Sequence, residues 1–204
     1  MADPIVESPE VAETRKVDYT FSNDIMVVRN VIQWGRDLIE AAEQLGKWKR
    51  ADVVDAAVGS YDSDRRSNSL LSVYHGDYPE MLDYEAGCKR AFHTCAAAYK
   101  AVNPWCPALH DTGYQLLRYA PGQQFKLHFD QIPKSRRMSA RMLSAVAFLN
   151  DDFDGGELVF PRQKRVIQPE AGTIVLFPSG WTHPHASQIV GRGVKYSVVC
   201  WFIA

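Results

Sequence analysis

Residues 126–135 read KLHFDQIPKS, and residues 180–202 read GWTHPHASQIVGRGVKYSVVCWF. Both stretches combine β-branched and aromatic residues with Gly and Pro, a pattern typical of short strands and turns. The pattern extends from Pro107 to the end of the chain, with strand candidates at 114–120, 124–129, 142–149, 157–160, 165–168, 173–177 and 195–202. Because no helical pattern separates these strands, we expect a sandwich or jelly roll and not a parallel, doubly wound sheet.

Two amphipathic helices are predicted before the strands. Residues 33–49 place Trp34, Leu38, Ala41, Leu45 and Trp48 at three- and four-residue steps, and residues 79–102 repeat that spacing. Pro79 suits a helix start, and Asn103-Pro104 suits a stop. We therefore predict a mainly β domain with flanking helices. It would consist of a partly disordered tail over 1–18, a helical flank over 19–106 and a jelly-roll core over 107–204.

The composition excludes several classes of protein. The chain has 204 residues, a formal net charge of −1 and 46% hydrophobic residues, which suits one soluble domain and gives no support for a membrane or nucleic-acid partner. No apolar run approaches the roughly 20 residues of a membrane-spanning helix, and the acidic N-terminus is unlike a secretory signal. The four cysteines lack metal-binding spacing and favour free thiols. These features predict a cytoplasmic protein.

His128 and Asp130 are the first candidate metal ligands. Side chains alternate along a strand, so the two residues project from the same face, while Leu127 and Phe129 face the other way and are expected to pack. A third ligand from a distant strand, His183 or His185, would complete a two-histidine, one-carboxylate set, which is characteristic of non-haem Fe(II) oxygenases. An HxD triplet alone is a weak signal, because such triplets also occur by chance on protein surfaces.

Lys195 strengthens the metal hypothesis. It lies in an otherwise apolar strand pattern, where a lysine must reach solvent or pair with an anion. If its side chain points into the same cavity as the metal ligands, a ligand carboxylate is its natural partner.

Residues 114–202 resemble the Fe(II)/2-oxoglutarate-dependent dioxygenases of the prolyl 4-hydroxylase family. Four segments carry the resemblance in order: YQLLRYAPGQQFKLHFD, ARMLSAVAFLNDDFDGGELVFP, AGTIVLFPSGWTHPHAS and GVKYSVVCWF. In that family an HxD pair and a downstream His hold iron, and a basic residue ten positions after that His binds the distal carboxylate of 2-oxoglutarate. Only His185 has this spacing to Lys195, so His183 is the second choice.

The resemblance implies a double-stranded β-helix with a defined set of site residues. His128, Asp130 and His185 would bind iron, and these three with Lys195 form the predicted catalytic set. Tyr119, Ser144 and Lys195 would bind the cosubstrate, with the two hydroxyl groups contacting the same distal carboxylate. The implied cofactors are Fe(II), 2-oxoglutarate and O2, with ascorbate as a candidate reductant.

The resemblance also implies the reaction, which is hydroxylation of a prolyl residue in a peptide or protein with release of succinate and CO2. Residues 59–69 are similar to a loop that covers the peptide groove in the family, which makes Tyr61, Arg66 and Ser67 candidate substrate contacts. Trp181 is a further candidate, whereas the apolar strand around Trp201 favours a place in the core.

Three alternatives remain open at this point. The same chemistry could act on a lysyl residue, a free amino acid or a nucleobase. The chain could instead be a cupin-like binding module with a structural metal, or a hydrolase with a zinc-bound water. Lys195 and Tyr119 argue against the last two, since neither needs a buried cation beside its metal.

Overall fold

The computed structural model describes residues 17–51, 66–73, 76–107, 109–131 and 140–204. Helix α1 spans Gly35–Leu45 and ends at Gly46, whose φ of 61° is the left-handed conformation that glycine tolerates best. A short 3₁₀ turn over Pro79–Met81 leads into α2, which spans Leu82–Val102. Both predicted helices are therefore present, and α1 stops four residues before the predicted end.

The rest of the described chain is mainly β-strand. The strands are β1 Tyr19–Ser22, β2 Ile25–Val28, β3 Lys49–Arg50, β4 Ser69–Val73, β5 His110–Tyr119, β6 Phe125–His128, β7 Arg141–Phe148, β8 Asp154–Gly155, β9 Leu158–Phe160, β10 Arg165–Ile167, β11 Ile174–Pro178, β12 His185–Ser187, β13 Val190–Arg192 and β14 Lys195–Ile203.

The strands form two main antiparallel sheets. The larger sheet has the order β1-β2-β11-β7-β14-β5-β4-β3, the smaller has the order β10-β9-β12-β6, and β13 pairs with β8. The strand order crosses over repeatedly, and side chains of both main sheets line one pocket, as in a double-stranded β-helix. The predicted fold class, a jelly-roll core with flanking helices, is confirmed.

The residues before 107 contribute strands as well as helices. β2 pairs with β11 and β4 pairs with β5, so the predicted helical flank extends the larger sheet at both sides. The sequence analysis overlooked β1 and β2, because the four-residue run IMVV at 25–28 is too short to show a period, although all four residues are buried. The predicted boundary at residue 107 therefore does not separate two structural units, because strands from both sides of it share one sheet. Residues 1–16 of the predicted tail lie outside the described residues.

Two apolar layers enclose the larger sheet. On one face, α2 packs Phe92, Cys95 and Tyr99 into a core that also contains Met26 and Leu176. Between the two sheets lies a second cluster that includes Phe148, Phe160 and Phe177. The helices therefore support the sheet from outside, and its inner face remains available to the pocket.

Within the described residues, neither helix has the length and apolar character needed to cross a bilayer. All four cysteines are free, and burial raises the pKa of the Cys88 and Cys95 thiols to about 12.

Replacing Phe92 by Ala should lower the free energy of unfolding by about 3–5 kcal/mol. The fully buried ring packs against Tyr114, and its removal would leave a cavity in the core. Thr94→Ala, at an exposed site on the same helix, should change it by less than about 0.5 kcal/mol. Urea unfolding measures both values, and equal midpoints for the two variants would contradict this packing.

Candidate metal centre and active site

Three predicted metal ligands meet where β6 pairs with β12. His185 lies directly opposite His128 in the strand register, and Asp130 follows β6 by two residues. His128 Nε2 is 3.4 Å from Asp130 Oδ1, and His185 Nε2 is 3.7 Å from Asp130 Oδ2. One ligand atom from each residue lies within 4.8 Å of the others. The alternation rule therefore placed the pair correctly, and strand pairing adds the third residue. The expected packing of Leu127 and Phe129 is wrong, because both side chains are exposed.

Backbone carbonyls orient both imidazoles. His128 Nδ1 lies 2.7 Å from the Lys126 carbonyl oxygen, and His185 Nδ1 lies 3.1 Å from the carbonyl oxygen of His183. Since a carbonyl only accepts, we assign the proton of each neutral ring to Nδ1. This tautomer leaves the Nε2 lone pairs directed at the cluster, which is the arrangement that metal-binding histidines need.

Aromatic rings fix the same imidazoles from their other sides. Phe125 stacks on His128 with a centroid separation of 3.5 Å and an interplanar angle of 13°. The Arg66 guanidinium lies over the Phe125 ring, 4.8 Å from its centroid. His185 packs against Phe177 at 4.6 Å. The Nε2 atoms of His128 and His185 therefore have little freedom to rotate out of the cluster.

Asp130 and His185 are held in the protonation states that a cation requires. Burial alone would raise the pKa of the Asp130 carboxyl, but His185, His128 and the Ser144 hydroxyl hold it well below its usual value. Burial lowers the pKa of His185 to about 4, although Asp130 opposes this shift. The cluster therefore offers a carboxylate and a neutral imidazole near pH 7, and with His128 this donor set fits Fe(II).

Ser144 serves this carboxylate and does not reach Lys195. Its Oγ donates a 2.7 Å hydrogen bond to Asp130 Oδ2 and lies 2.8 Å from Ser179 Oγ. In the strand register Ser144 is opposite Trp201, six residues along β14 from Lys195 and hence about 20 Å away. The expected shared carboxylate contact is corrected accordingly, because the two side chains lie at different ends of β14.

His183 lies outside the cluster. Its Nε2 lies 3.0 Å from the Asn23 carbonyl oxygen, and its Nδ1 lies 3.0 Å from Thr182 Oγ1. Both ring nitrogens are engaged elsewhere, so among the two candidates the structure brings only His185 to the His128–Asp130 pair.

Lys195 and Tyr119 lie opposite each other in the register of β14 and β5. The lysine is 2% exposed, and its Nζ donates to the Gly156 carbonyl at 2.6 Å and to Ser187 Oγ at 2.9 Å. Burial lowers the pKa of Lys195 to about 7, opposed by the charge of Glu157. Within the described residues Lys195 makes no salt bridge, so no carboxylate lies within ion-pair distance of this buried amine.

Lys195, Tyr119 and the three clustered residues line one pocket between the sheets. Aliphatic and aromatic side chains form its walls, among them Val146, Phe148 and Leu158. The pocket therefore joins a potential metal site to a cationic subsite through an apolar passage, a form suited to a small dicarboxylate.

The predicted substrate residues are distributed over different places. Arg66 lines the pocket, whereas Ser67 hydrogen-bonds the backbone of Gln124 through its Oγ. Trp181 is 65% exposed, with the Arg162 guanidinium 5.4 Å from its ring centroid. Tyr61 lies outside the described residues.

Trp201, which the sequence analysis placed in the core, packs in an apolar cluster and also lines the pocket. Ser187 is a pocket residue that the sequence analysis did not assign. The Arg141 guanidinium lies over the Trp201 ring, 3.5 Å from its centroid. The buried Nε1 of Trp201 has no hydrogen-bond partner among the described residues. Ser187 follows His185 by two residues on β12, so the alternation rule that paired His128 with Asp130 would have found it.

Comparison with known proteins agrees with this site. Residues 114–203 match the family model of the 2OG-Fe(II) oxygenase superfamily. These residues form a 2OG-Fe(II) oxygenase domain. The matched segment contains all three clustered residues and Lys195, so the recognition of a 2OG-Fe(II) oxygenase domain is confirmed for these residues.

Curated relatives of the oxygenase domain include prolyl 3-hydroxylase 2 of Mus musculus, which is 42% identical over 67 residues, 30% of this chain and 10% of the relative. Prolyl 3-hydroxylase 1 of Homo sapiens is 40% identical over 67 residues, 30% of this chain and 9% of the relative. The chain thus spans about a tenth of the length of the curated relatives that it matches.

Solved structures share the fold at lower identity. The 2OG complex of the viral collagen prolyl hydroxylase vCPH from Paramecium Bursaria Chlorella virus-1 has a TM-score of 0.66 and 18% identity, covering 89% of this chain and 97% of that one. A Pseudomonas putida prolyl-4-hydroxylase has a TM-score of 0.63 and 22% identity, covering 88% and 92%. The jelly roll of the oxygenase domain and its N-terminal flank are therefore both present in these neighbours.

Replacing Ser144 by Ala should raise the dissociation constant for Co(II) or Mn(II) about 10- to 100-fold, because Asp130 loses the hydroxyl that orients it. Calorimetric titration of the metal measures the change. Thr173→Val is the matched control, because this hydroxyl is equally buried. It precedes β11, whereas Ser179, the second partner of Ser144, follows β11. Unchanged affinity in Ser144→Ala would show that the hydrogen bond does not orient the ligand.

Proposed function

We propose that this protein is an Fe(II)- and 2-oxoglutarate-dependent dioxygenase that hydroxylates prolyl residues in peptides or proteins. The observation that carries the cosubstrate assignment is Lys195, a buried cation without an anionic partner in the described chain, in the same pocket as the His-Asp-His cluster. A binding module or a zinc hydrolase has no use for that cation.

The residues divide the work as follows. His128, Asp130 and His185 would hold the iron, and Lys195 with Tyr119 would bind the distal carboxylate of 2-oxoglutarate. When bound, iron, 2-oxoglutarate and O2 would supply the oxidation of an unactivated C–H bond, with 2-oxoglutarate converted to succinate and CO2. The apolar walls exclude water from the reacting carbon, and Ser144 keeps the carboxylate of Asp130 in position.

The spacing of the two subsites supports a five-carbon cosubstrate. Ser187, which contacts Lys195, follows His185 by two residues on the same strand, a rise of about 7 Å. A 2-oxo dicarboxylic acid of five carbons can span such a distance with its keto end at the metal ligands and its distal carboxylate at the lysine.

Prolyl residues are the proposed substrate because the curated relatives and the solved neighbours are named prolyl hydroxylases. Trp201 lines the same pocket, and its buried indole N–H has no acceptor among the described residues. The proposal extends to ascorbate as an external reductant and to a reducing, cytoplasmic setting, which suits both Fe(II) and free thiols.

The first test is anaerobic titration of the Fe(II)-loaded protein with 2-oxoglutarate, monitored by the weak visible charge-transfer band. The band should appear in the wild type, persist in His183→Ala, disappear in His185→Ala and weaken in Lys195→Ala. The His183 variant is the matched control, because its ring nitrogens contact Asn23 and Thr182 instead of the cluster.

A wild-type protein that binds metal but gives no band would contradict the oxygenase assignment and favour a binding module or a hydrolase. If the band is present, proline-containing peptides are incubated with Fe(II), 2-oxoglutarate and O2. Mass spectrometry and amino-acid analysis then identify the product and the carbon that carries the new hydroxyl. Succinate formation without peptide oxidation would retain the chemistry and exclude the prolyl substrate.

Cosubstrate affinity should fall as pH rises from about 7 to 9, by up to about tenfold per pH unit. In the free protein the pKa of Lys195 is lowered to about 7 by burial, so the amine becomes neutral above that pH. A bound carboxylate favours the ammonium form, and binding should therefore take up a proton in this range.

Calorimetry in two buffers of different ionisation enthalpy counts this proton. Lys195→Arg should abolish both the uptake and the pH dependence, because a guanidinium stays charged throughout. An affinity that is independent of pH in the wild type would show that Lys195 is not the carboxylate partner.

A further inference from the structure

The segment Arg66–Asn68 attaches to the outer edge of β6, the strand that leads to the metal ligands. β6 is the last strand of the smaller sheet and has β12 on its other side. Arg66 forms a β-bridge with Phe125, and the Ser67 N–H donates to the Gln124 carbonyl at 3.2 Å. The Ser67 hydroxyl also accepts a 3.1 Å hydrogen bond from the Gln124 N–H. We refer to Arg66–Asn68 as the clip.

The clip is also joined to the larger sheet. Directly after Asn68 the chain enters β4, whose first residue, Ser69, lies opposite Arg118 of β5. The Asn68 side chain accepts a hydrogen bond from Arg66 Nε at 2.8 Å and donates one to the Ser69 carbonyl at 2.8 Å. The clip therefore ties the edge of the smaller sheet to the larger sheet beside the pocket, which Arg66 lines.

Phe125 connects the clip to a metal ligand. Its ring is nearly parallel to the His128 imidazole, with 13° between the planes and 3.5 Å between the centroids. The Arg66 guanidinium lies over the same phenyl ring, 4.8 Å from its centroid. One ring thus contacts both the clip and the imidazole, so the position of the clip constrains the position of the metal ligand.

The face-to-face arrangement makes this contact sensitive to a metal ion. Two electron-rich rings disfavour such stacking, because the negative quadrupoles of their faces repel each other. A cation bound at Nε2 withdraws electron density from the imidazole, and an aromatic face attracts a group that carries positive charge. The stack of Phe125 on His128 should therefore be weak in the free protein and stronger once His128 holds a metal ion.

We propose that the clip is a positioning element of the metal centre and acts on His128 through the ring of Phe125. Metal binding and attachment of the clip to β6 then stabilise each other by the same factor, as linkage requires. Arg66 and Ser67 thereby have a part other than the predicted substrate contact. The inference rests on the proposed function, because it concerns the metal site that this function needs.

The first measurement is the dissociation constant for Zn(II), a diamagnetic ion that suits this donor set, determined by calorimetry. Phe125→Leu should raise the constant about tenfold, because it largely keeps the apolar volume but removes the stack. Phe125→Tyr keeps the aromatic face and should retain the wild-type value. Ser67→Ala should raise the constant about threefold, since it removes a hydroxyl of the clip and alters no ring. Ser72→Ala, on β4 opposite Gln115, is the matched control and should leave the constant unchanged.

A double-mutant cycle identifies the route of the coupling. If the clip acts through Phe125, Ser67→Ala should change the dissociation constant by less than about 1.5-fold in the Phe125→Leu background. Equal effects of Ser67→Ala in both backgrounds would show that the clip acts by another route, and this result would overturn the proposal.

Hydrogen exchange of the Ser67 amide, followed by nuclear magnetic resonance, tests the reverse direction. This N–H is bound to the Gln124 carbonyl, so its exchange rate reports opening of the clip. Saturating Zn(II) should slow this exchange about threefold or more in the wild type and leave it unchanged in Phe125→Leu. If the clip had a purely structural part, the amide would exchange at the same rate with and without metal.

The possible failures are distinguishable. If the wild type binds neither Zn(II) nor Co(II), the proposed function itself fails. If it binds metal and Phe125→Leu, Ser67→Ala and Ser72→Ala bind equally well, only the role of the clip is overturned. Circular dichroism without metal shows whether Phe125→Leu is folded. If it is not, Ser67→Ala decides, because unchanged affinity together with metal-independent exchange in the wild type overturns the proposal.

Discussion

A lysine ammonium buried among neutral oxygens and apolar walls is the constraint on which this site depends. Moving a charge away from water is costly, and the two hydrogen bonds of Lys195 offset this cost only in part, as its lowered pKa shows. The backbone is shaped around the amine. Gly156 presents its carbonyl from a φ of 69°, and a Cβ there would lie 3.0 Å from Lys195 Cδ. The carboxylate of the proposed cosubstrate would remove the remaining cost.

The metal cluster follows a complementary principle, in which burial and hydrogen bonding select the form of each ligand. Desolvation favours a neutral His185, whereas the imidazoles and the Ser144 hydroxyl keep Asp130 ionised. The cluster therefore carries the charge of the Asp130 carboxylate, and the Lys195 amine lines the same pocket. A ligand that chelates a cation at one end and carries a carboxylate at the other complements both.

Much of this could be predicted from the sequence because it depends on local periodicity. The strand texture after Pro107, the helical stripes and the alternation that pairs His128 with Asp130 are all properties of neighbouring residues. Strand register is not local, and the position of Ser144 depends on which residue of β14 lies opposite it. Ser187 follows the alternation rule from His185, whereas His185 itself is identified by its spacing to Lys195. β2 was missed since four apolar residues fit a strand, a helix or a loop equally well.

The strands formed by residues 19–28 and 69–73 determine which part of the chain must be kept together with the segment that matches the family model. The family model covers 114–203, yet β11 has β2 as one neighbour, β5 has β4 as one neighbour, and the ring of His183 rests on the Asn23 carbonyl. Excising the matched segment alone would leave two interior strands with unpaired edges, the form that sheets use to aggregate. The unit defined by sequence similarity is therefore smaller than the unit that can fold, and gene fusions or domain swaps should keep the strands from Tyr19 onward with the catalytic core.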